Sequence, residues 1–157
     1  MKIRPFLMED YPLAYDLWSR TPGMGLSASD SEDNIRRFLE RNPGLSFVAE
    51  DNTGGVQGTV LAGHDGRRGF LYHLAVSAVC RGQGTGRQLV QAALEALGRQ
   101  NIMKCHIMVL ENNELGQTFW SGQGWLRRGN ILLYSQDIEA DHRDACCSSD
   151  STPGCTS

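Results

Sequence analysis

The feature that most constrains the fold is a glycine-rich segment between two apolar stretches. Residues 70–77 read FLYHLAVS, and apolar side chains on both faces predict a central strand. Residues 81–86 read RGQGTG, and from residue 84 to 97 apolar side chains recur at helical spacing. A strand, a glycine-rich turn and a helix in this order direct backbone N–H groups and the start of the helix toward one point. The sequence therefore predicts an α/β domain with a diphosphate site at residues 81–87.

The glycines of this turn fit two interpretations. Their missing Cβ atoms give phosphate oxygens close access to the backbone, and Arg81 and Arg87 can add charge-assisted contacts. The same glycines also allow a helix to pack closely on a strand. Two other nucleotide-binding patterns do not fit, because the turn lacks the lysine of a P-loop and the spacing of the dinucleotide fingerprint.

The remaining periodic segments predict a mixed sheet flanked by helices. Ser29 and Glu32 have the spacing of a capping box and predict the start of the second helix. The last two strands are predicted to form a closing hairpin across Gly129 and Asn130. The predicted helices cover residues 9–20, 29–41, 84–97 and 113–123, and the predicted strands cover residues 2–7, 45–50, 56–63, 70–77, 103–110, 125–128 and 131–138.

Charge and length exclude several classes of protein. The chain has 157 residues, 15 basic and 18 acidic, which gives a net charge of −3. The net charge of residues 139–157 is also −3, so the rest of the chain is neutral and lacks the basic excess of a nucleic-acid-binding module. No apolar run is long enough for a membrane span or a signal peptide. We therefore expect a soluble cytoplasmic protein that binds neither nucleic acid nor membrane.

The last nineteen residues differ from the rest. Residues 139–157 contain no large apolar side chain, which predicts a polar, flexible tail behind one domain of residues 1–138. His142, Cys146, Cys147 and Cys155 lie in this tail and could bind a soft metal, but their spacing matches no zinc module, so we expect no metal. The five cysteines of the chain are odd in number and fit reduced thiols rather than a disulfide framework.

Three separated motifs resemble the GNAT superfamily of N-acetyltransferases. Residues 81–86 match the family's pyrophosphate loop, Arg/Gln-x-x-Gly-x-Gly/Ala, at the start of a helix after a central strand. The order of elements agrees from about residue 2 to residue 138. The resemblance implies an α/β (α+β) fold with a mixed, mostly antiparallel sheet of about seven strands and about four helices. The other matching residues are Leu74, Ala75 and Val76 at the strand end, Asn113, the pair Phe119 and Trp120, and the pair Gly124 and Trp125.

The resemblance also implies a reaction and a binding site. The acetyl group of acetyl-CoA, the co-substrate, would pass directly to a primary amine of unknown identity, without a metal. The strands at 70–77 and 103–110 would splay apart after a bulge, and the pantetheine arm would pair with the first of them, where a backbone N–H stabilises the oxyanion. A homodimer is a further expectation from the family. The implied acetyl-CoA contacts are Leu74, Ala75, Val76, Arg81, Gly82, Gln83, Gly84, Thr85, Gly86, Arg87, Asn113, Phe119 and Trp120.

The sequence departs from the family at the position of the usual general acid. The second aromatic of the pair is often a tyrosine, whereas Trp120 has only an indole N–H, which cannot donate a proton near neutral pH. Tyr72 and Tyr134 are the predicted substitutes, although each also fits a packing aromatic. The departure leaves open an alternative function, a non-catalytic CoA-binding sensor or partner module.

The face on which Tyr72 lies depends on the strand being regular. By strict alternation, Tyr72 shares a face with Phe70 and Leu74, and His73 points to the opposite face as a hydrogen-bonded core histidine. A bulge near Leu74 would reverse the assignment of His73. The acceptor is expected to be recognised by the loop at 21–28 and by the last hairpin. The loop equally fits an ordinary connection, and the hairpin turn at 127–130 fits a solvated turn better than an anion site.

Overall fold

The computed structural model describes residues 1–139, which fall into two units, Met1–Trp125 and a second that begins at Leu126. Among the described residues, all helices and strands lie in the first unit. Short 3-10 turns precede α1, α2 and α3. The strands are β1 (Lys2–Pro5), β2 (Phe47–Glu50), β3 (Val56–His64), β4 (Gly69–Val76) and β5 (Cys105–Ile107), and the helices are α1 (Tyr11–Ser19), α2 (Glu32–Arg41), α3 (Thr85–Arg99) and α4 (Glu114–Gly122).

The five strands form one mixed sheet in the order β1-β2-β3-β4-β5. The pairs β1–β2, β2–β3 and β3–β4 are antiparallel, and β5 is parallel to β4, to which α3 connects it. A parallel neighbour requires such a crossover, and a strand covered on both faces needs apolar residues on both, as the sequence of β4 has. The fold class is the one predicted, with five strands in place of about seven.

Each face of the sheet carries its own core. On one face, Leu89 and Leu97 of α3 pack with Leu71 of β4, and all three side chains are almost fully buried. On the other face, Trp18 of α1 is fully buried beside Leu61 of β3. The sheet is therefore sandwiched between helices, which explains why β3 and β4 are apolar on both sides.

The start of α2 differs from the prediction. Ser27 and Asp30, rather than Ser29 and Glu32, form a reciprocal capping box, and this box closes the short 3-10 turn before α2. The side chain of Ser27 accepts from the N–H of Ser29, and a carboxylate oxygen of Asp30 accepts from the N–H of Ser27. Several serines and acids in this segment have capping spacing, so spacing alone could not identify the pair.

The second unit contains no strand within its described residues. A turn is present across Gly129 and Asn130, where the N–H of Ile131 donates to the carbonyl of Arg128. The flanking residues do not pair, and the apolar side chains from Ile131 to Tyr134 are exposed. The predicted closing hairpin is therefore wrong, and its absence accounts for the lower strand count. A two-stranded hairpin has little stability of its own, so alternation of apolar residues did not suffice to form one.

A bulge interrupts β4 at His73. Val60 of β3 lies between two regular pairs, and both His73 and Leu74 lie opposite it. The backbone of His73 has a φ of 49°, the left-handed region that residues other than glycine seldom adopt. An extra residue of this kind shifts the alternation of all side chains beyond it.

The bulge places Tyr72 and His73 on the same face of the sheet. Tyr72 packs edge-on against Phe38 of α2, and His73 packs edge-on against Trp18 of α1. Leu74 joins the opposite core, with α3. The prediction that Tyr72 shares a face with Leu74 is therefore wrong, as is the strict alternation for His73, and the bulged alternative is the one observed.

The described residues contain neither a membrane-spanning helix nor a cluster of metal-binding side chains. No helix among residues 1–139 is both long and apolar enough to span a membrane. Within the same residues, no three His, Cys, Asp or Glu side chains cluster as they would around a metal ion. The cysteine-containing tail, and with it the alternative of a soft-metal site there, lies outside the described residues.

Candidate active site

The sheet opens into a fork between β4 and β5. The two strands pair only at residues 69–71 of β4, where Leu71 lies opposite Ile107. Beyond that point, no described strand pairs with residues 72–76 on the β5 side. The expected divergence of these strands is therefore observed, and it leaves main-chain donors and acceptors of β4 facing a gap.

A cavity of about 780 Å³ lies at this fork, within the size range of small-molecule sites. Most of the residues predicted to contact acetyl-CoA line it, together with Tyr72. Gln83 is not among the lining residues, and its side chain donates to the carbonyl of Val79 instead. The lining segments are residues 21–25 after α1, 71–76 of β4, 80–82 and 84–87 around the start of α3, and 107–110, 113, 115–116, 119–120 and 123 around α4.

The start of α3 is arranged for an anion. Gly84 is the N-cap and has no side chain to accept from the helix, whose first backbone bond runs from the N–H of Gln88 to the carbonyl of Gly84. The N–H groups of residues 85–87 therefore have no acceptor within the helix. The first turn also contains no acidic residue, unlike that of α2. Free N–H groups and an uncompensated helix dipole favour a phosphate at this point.

The glycines of the turn fill both predicted roles, at different positions. Gly82 and Gly84 have φ values of 73° and 81°, and a Cβ on either would meet no atom within 4 Å. Their roles are therefore to permit a left-handed backbone and to leave open space in front of it. A Cβ on Gly86 would lie 3.2 Å from the ring of Phe119, so this glycine permits close packing of α3 on α4.

Two arginines bring positive charge to the same turn. The Nε–H of Arg81 donates to the carbonyl of Val76 at 3.1 Å, which holds the side chain against the end of β4. Arg87 lies one turn further on, is exposed, and has no ion pair among residues 1–139. Exposed guanidinium groups can reorient at little cost to contact a diphosphate.

Asn113 connects α4 to the loop after α1. Its Oδ1 accepts from the N–H of Gly116 at 2.9 Å and so caps α4. Its Nδ2 lies so close to Gly23 that a Cβ there would be 2.9 Å away. The oxygen thus has a structural role, while Nδ2 is left to donate to a ligand. The predicted contact of Asn113 with the pantetheine arm remains a prediction.

The aromatic pair of α4 divides between the cavity and the core. Phe119 is partly buried and lies with its ring centroid 5.1 Å from that of Trp120. Trp120 is only 7% exposed, and its ring packs against Trp125 at 4.8 Å. Both residues line the cavity, and Trp120 also belongs to the core on the α3 face. A tyrosine-like acid is therefore replaced by a large packing residue.

The two predicted acids have different surroundings. Tyr72 lines the cavity, and burial raises the pKa of its phenol above the ordinary value, with a smaller contribution from Cys105. The phenol is thus protonated at neutral pH, as a general acid must be before it donates. Tyr134 lies in the second unit, where its side chain is 86% exposed. The catalytic roles of both remain predictions, as does the role of the turn at 127–130 in the same unit.

A pair that the sequence analysis did not identify lies on the cavity side of β4. The Nε2 of His73 is 2.6 Å from Oδ1 of Asp30, and the side chains are 13% and 10% exposed. Oδ2 of Asp30 accepts from the N–H of Ser27 at 2.7 Å. The residues are 43 positions apart in the chain, and only the capping spacing of Ser27 and Asp30 could have drawn attention to the acid.

The bulge is held by a short chain of hydrogen bonds. The indole N–H of Trp18 donates to Oγ1 of Thr59 at 2.8 Å, and the hydroxyl of Thr59 donates to the carbonyl of His73 at 2.9 Å. Trp18 and Thr59 are fully buried. Because the bulge removes the carbonyl of His73 from the regular ladder, the threonine hydroxyl replaces the missing partner.

Comparisons with known proteins agree with this geometry. Residues 11–125 match the model of the acetyltransferase (GNAT) family. The chain is 36% identical over 114 residues to acetyltransferase ECA0875 of Pectobacterium atrosepticum, which covers 73% of this chain and 79% of the relative.

Two solved structures illustrate the shared fold. AAC(6′)-Iy, in complex with the bisubstrate analogue CoA-S-monomethyl-acetylneamine, superposes with a TM-score of 0.69 at 17% identity, covering 87% of this chain and 98% of that one. Glucosamine-6-phosphate N-acetyltransferase from Arabidopsis thaliana superposes with a TM-score of 0.62 at 18% identity, covering 88% of this chain and 98% of that one.

The family model and the identity to the Pectobacterium protein establish the relationship, and the fork with the start of α3 supplies features suited to the family's donor. This chain therefore belongs to the GNAT family of acetyltransferases, and acetyl-CoA is its co-substrate.

Proposed function

We propose that this protein transfers the acetyl group of acetyl-CoA directly to a primary amine. The observation that carries the proposal is a single cavity that joins the anion site at α3 to the unpaired edge of β4 beyond the bulge. Glucosamine-6-phosphate N-acetyltransferase, which shares this fold, transfers an acetyl group to nitrogen, and this supports nitrogen as the acceptor atom.

The donor would contact three parts of the cavity. Its diphosphate would bind the free N–H groups of residues 85–87, with Arg81 and Arg87 neutralising the charge. Its pantetheine amides would pair with the unpaired main chain of residues 74–76, in the manner of an added strand. Asn113 Nδ2 would donate to the same arm, and Phe119 and Trp120 would exclude water from the thiol end.

The chemistry would depend on main-chain groups of β4. When an amine attacks the acetyl carbonyl, charge develops on the carbonyl oxygen, and a backbone N–H of residues 74–76 would donate to it. A donor fixed in this way contributes about 3–4 kcal/mol to transition-state stabilisation in comparable oxyanion holes. Tyr72 is our first candidate for protonating the departing thiolate, because it lines the cavity and its phenol keeps its proton at neutral pH.

Calorimetry with acetyl-CoA tests the binding half of the proposal. Gly84→Glu places a carboxylate where the phosphate would lie, and we expect it to weaken binding by about 100-fold or more, equivalent to about 2.7 kcal/mol. Gly54→Glu is the matched control, because Gly54 has a φ of 84° and equally open surroundings but lies in the turn before β3. Equal losses in the two variants would show that backbone strain, not the anion site, is responsible.

Release of free thiol from acetyl-CoA tests the catalytic half. The amine panel contains a peptide with a free N-terminus, an N-terminally blocked lysine peptide, glucosamine 6-phosphate and neamine. We expect at least one amine to raise thiol release above the buffer rate. A drop of less than about threefold in both Tyr72→Phe and Tyr134→Phe would remove the two phenols as general acids.

One observation favours a second candidate function. Trp120 occupies the position of the usual acid and is built into the core, so it supplies no proton. A non-catalytic CoA-binding module would show this substitution together with an intact anion site. Binding of acetyl-CoA without turnover on any amine of the panel would favour this candidate over the enzyme.

A further inference from the structure

The cavity is lined by one histidine to which the proposed function assigns no role, and a buried carboxylate lies behind it. His73 lines the cavity from the bulge of β4, next to the segment of the strand that would hold the acetyl group. Its ring nitrogen Nε2 lies 2.6 Å from a carboxylate oxygen of Asp30. The left-handed backbone and the shifted alternation bring the imidazole to this position, where a regular strand would have turned it to the opposite face.

The contact with Asp30 determines which nitrogen of His73 carries the proton. A carboxylate accepts hydrogen bonds and donates none, so Nε2 carries the hydrogen and Nδ1 keeps its lone pair in the neutral ring. Nδ1 has no hydrogen-bond partner among the described residues and is not fully buried. The structure thus presents a nitrogen that can accept a proton, backed by an acid that stabilises the resulting imidazolium.

We propose that His73 is the general base that takes a proton from the acceptor ammonium. Asp30 is the residue that positions the ring of His73 and stabilises the imidazolium that forms. The inference rests on the proposed transfer to an amine. An ammonium group must lose a proton before its nitrogen can attack, and an imidazole beside the acetyl site is suited to remove it near neutral pH.

The protons balance over one turnover. The ammonium gives a first proton to Nδ1 of His73, and the freed lone pair attacks the acetyl carbon, so that a C–N bond forms and the C–S bond breaks. The nitrogen then loses a second proton as the amide is completed. One of the two protons ends on the CoA thiolate, and the other is released to water. His73 is then neutral again and ready for the next cycle.

Among the described residues that contact the ring of His73, Asp30 is the acidic one. From α1, Trp18 packs edge-on with its ring centroid 4.7 Å away. Tyr11 donates its hydroxyl to the backbone carbonyl of Asp30, and Tyr72 precedes His73 in β4. Burial is the first cause that raises the pKa of both phenols, so both are neutral over the pH range in which an imidazole titrates.

The test compares two histidine variants in the full chain. His73→Asn removes the base but keeps a residue that tolerates a positive φ, and His106→Asn makes the same change on β5. With the best amine of the panel, we expect His73→Asn to lower kcat/KM by about 100-fold or more and to change the pH profile of kcat/KM. We expect His106→Asn to keep kcat/KM within about threefold and to keep the pH profile, and both variants to keep their Kd for acetyl-CoA within the same factor.

Asp30→Asn tests the positioning role. It removes the charge and keeps one side-chain oxygen, which can accept from the ring of His73 or from the N–H of Ser27 in place of the two separate oxygens of Asp30. We expect a loss of about tenfold in kcat/KM in the wild-type background and almost none in the His73→Asn background, because Asp30 acts through His73. Equal losses in both backgrounds would show that Asp30 acts only on the structure.

A measurement without turnover completes the test. Nitrogen NMR of the histidine rings reports the tautomer directly, and we expect Nε2–H with an unprotonated Nδ1 at His73. Asp30→Asn should weaken the preference for this tautomer. An Nδ1–H tautomer at His73 would overturn the proposal, as would turnover by His73→Asn within about threefold of wild type. If the wild type binds acetyl-CoA but acetylates no amine, the proposed function fails, and the base role fails with it. Wild-type turnover that His73→Asn leaves unchanged overturns the base alone.

Discussion

Replacement of Thr59 by valine should show how much free energy holds the bulge of β4 in place. Thr59 accepts from the indole of Trp18 and donates to the carbonyl of His73, and it is fully buried between them. Valine has almost the same shape but has neither a donor nor an acceptor. Thr59→Val therefore removes two hydrogen bonds without creating a cavity, so the loss can be assigned to the polar groups.

The magnitude follows from the burial of the two partners. The N–H of Trp18 is fully enclosed, and leaving it unsatisfied costs about 1–3 kcal/mol. The carbonyl of His73 is only partly buried, so we assign it about 1 kcal/mol. Burial of a methyl group in place of the hydroxyl returns about 0.8 kcal/mol. We expect the free energy of unfolding of Thr59→Val to fall by about 1–3 kcal/mol.

Urea unfolding followed by tryptophan fluorescence measures this change. Thr59→Ser is the control, because it keeps the hydroxyl and loses only a methyl group, which should cost about 1 kcal/mol. A Thr59→Val protein within about 0.5 kcal/mol of wild type would refute the reasoning, because the two partners would then have found other bonds or would not need them. A Thr59→Ser protein as unstable as Thr59→Val would refute it too, since packing would then account for the whole loss.

Three further changes have expected outcomes. Burial raises the pKa of Asp10, but hydrogen bonds from Arg4 and from the backbone lower it overall. At pH 7, Asp10→Asn should lower the free energy of unfolding in urea by about 2 kcal/mol. This contribution should be fully present above about pH 4 and should vanish as the pH falls through the lowered pKa of Asp10. Gly84→Ala should destabilise the protein by about 1–2 kcal/mol because φ is 81° there, whereas Gly98→Ala in the same helix, with open space and no positive φ, should stabilise it by about 0.5–1 kcal/mol in the same assay. Burial raises the pKa of Cys105 to about 11 from 9.0. In a variant whose other four cysteines are serine, Cys105 should therefore react with iodoacetamide about 100-fold more slowly than an ordinary thiol at pH 8. A rate equal to that of free cysteine would contradict this.

The parts of the site that could be predicted from the sequence are those encoded locally. The turn at 81–86, the helix after it and the strand before it are contiguous, and each is specified by its own residues. Their mutual arrangement follows from chain connectivity, because a helix that begins one turn after a strand has its N-terminus at the end of that strand. The position of the cavity was therefore predictable.

The parts that could not be predicted depend on partners far apart in the chain. The local residues around His73 left both a regular strand and a bulge open, and only the family resemblance implied the bulge. Its position depends on distant partners, because the carbonyl of His73 is satisfied by Thr59 and its ring by Asp30. The predicted hairpin at the end of the chain had the opposite difficulty, because alternation around the turn at 129–130 was clear although no strand pairing follows among the described residues. Alternation describes which faces a strand would have and does not supply the second strand.

The early end of the pairing between β4 and β5 has a consequence for local stability. β5 is an edge strand of three residues that pairs with β4 alone, whereas β3 is longer and pairs with β2 on one side and β4 on the other. Amide hydrogens of β5 should therefore exchange with solvent at a lower opening free energy than those of β3, in a sub-global opening that leaves the rest of the sheet intact. The edge of the sheet next to the cavity would then open before β3 does and would show weaker protection from hydrogen exchange. Local opening would therefore be concentrated where substrates must enter and products must leave.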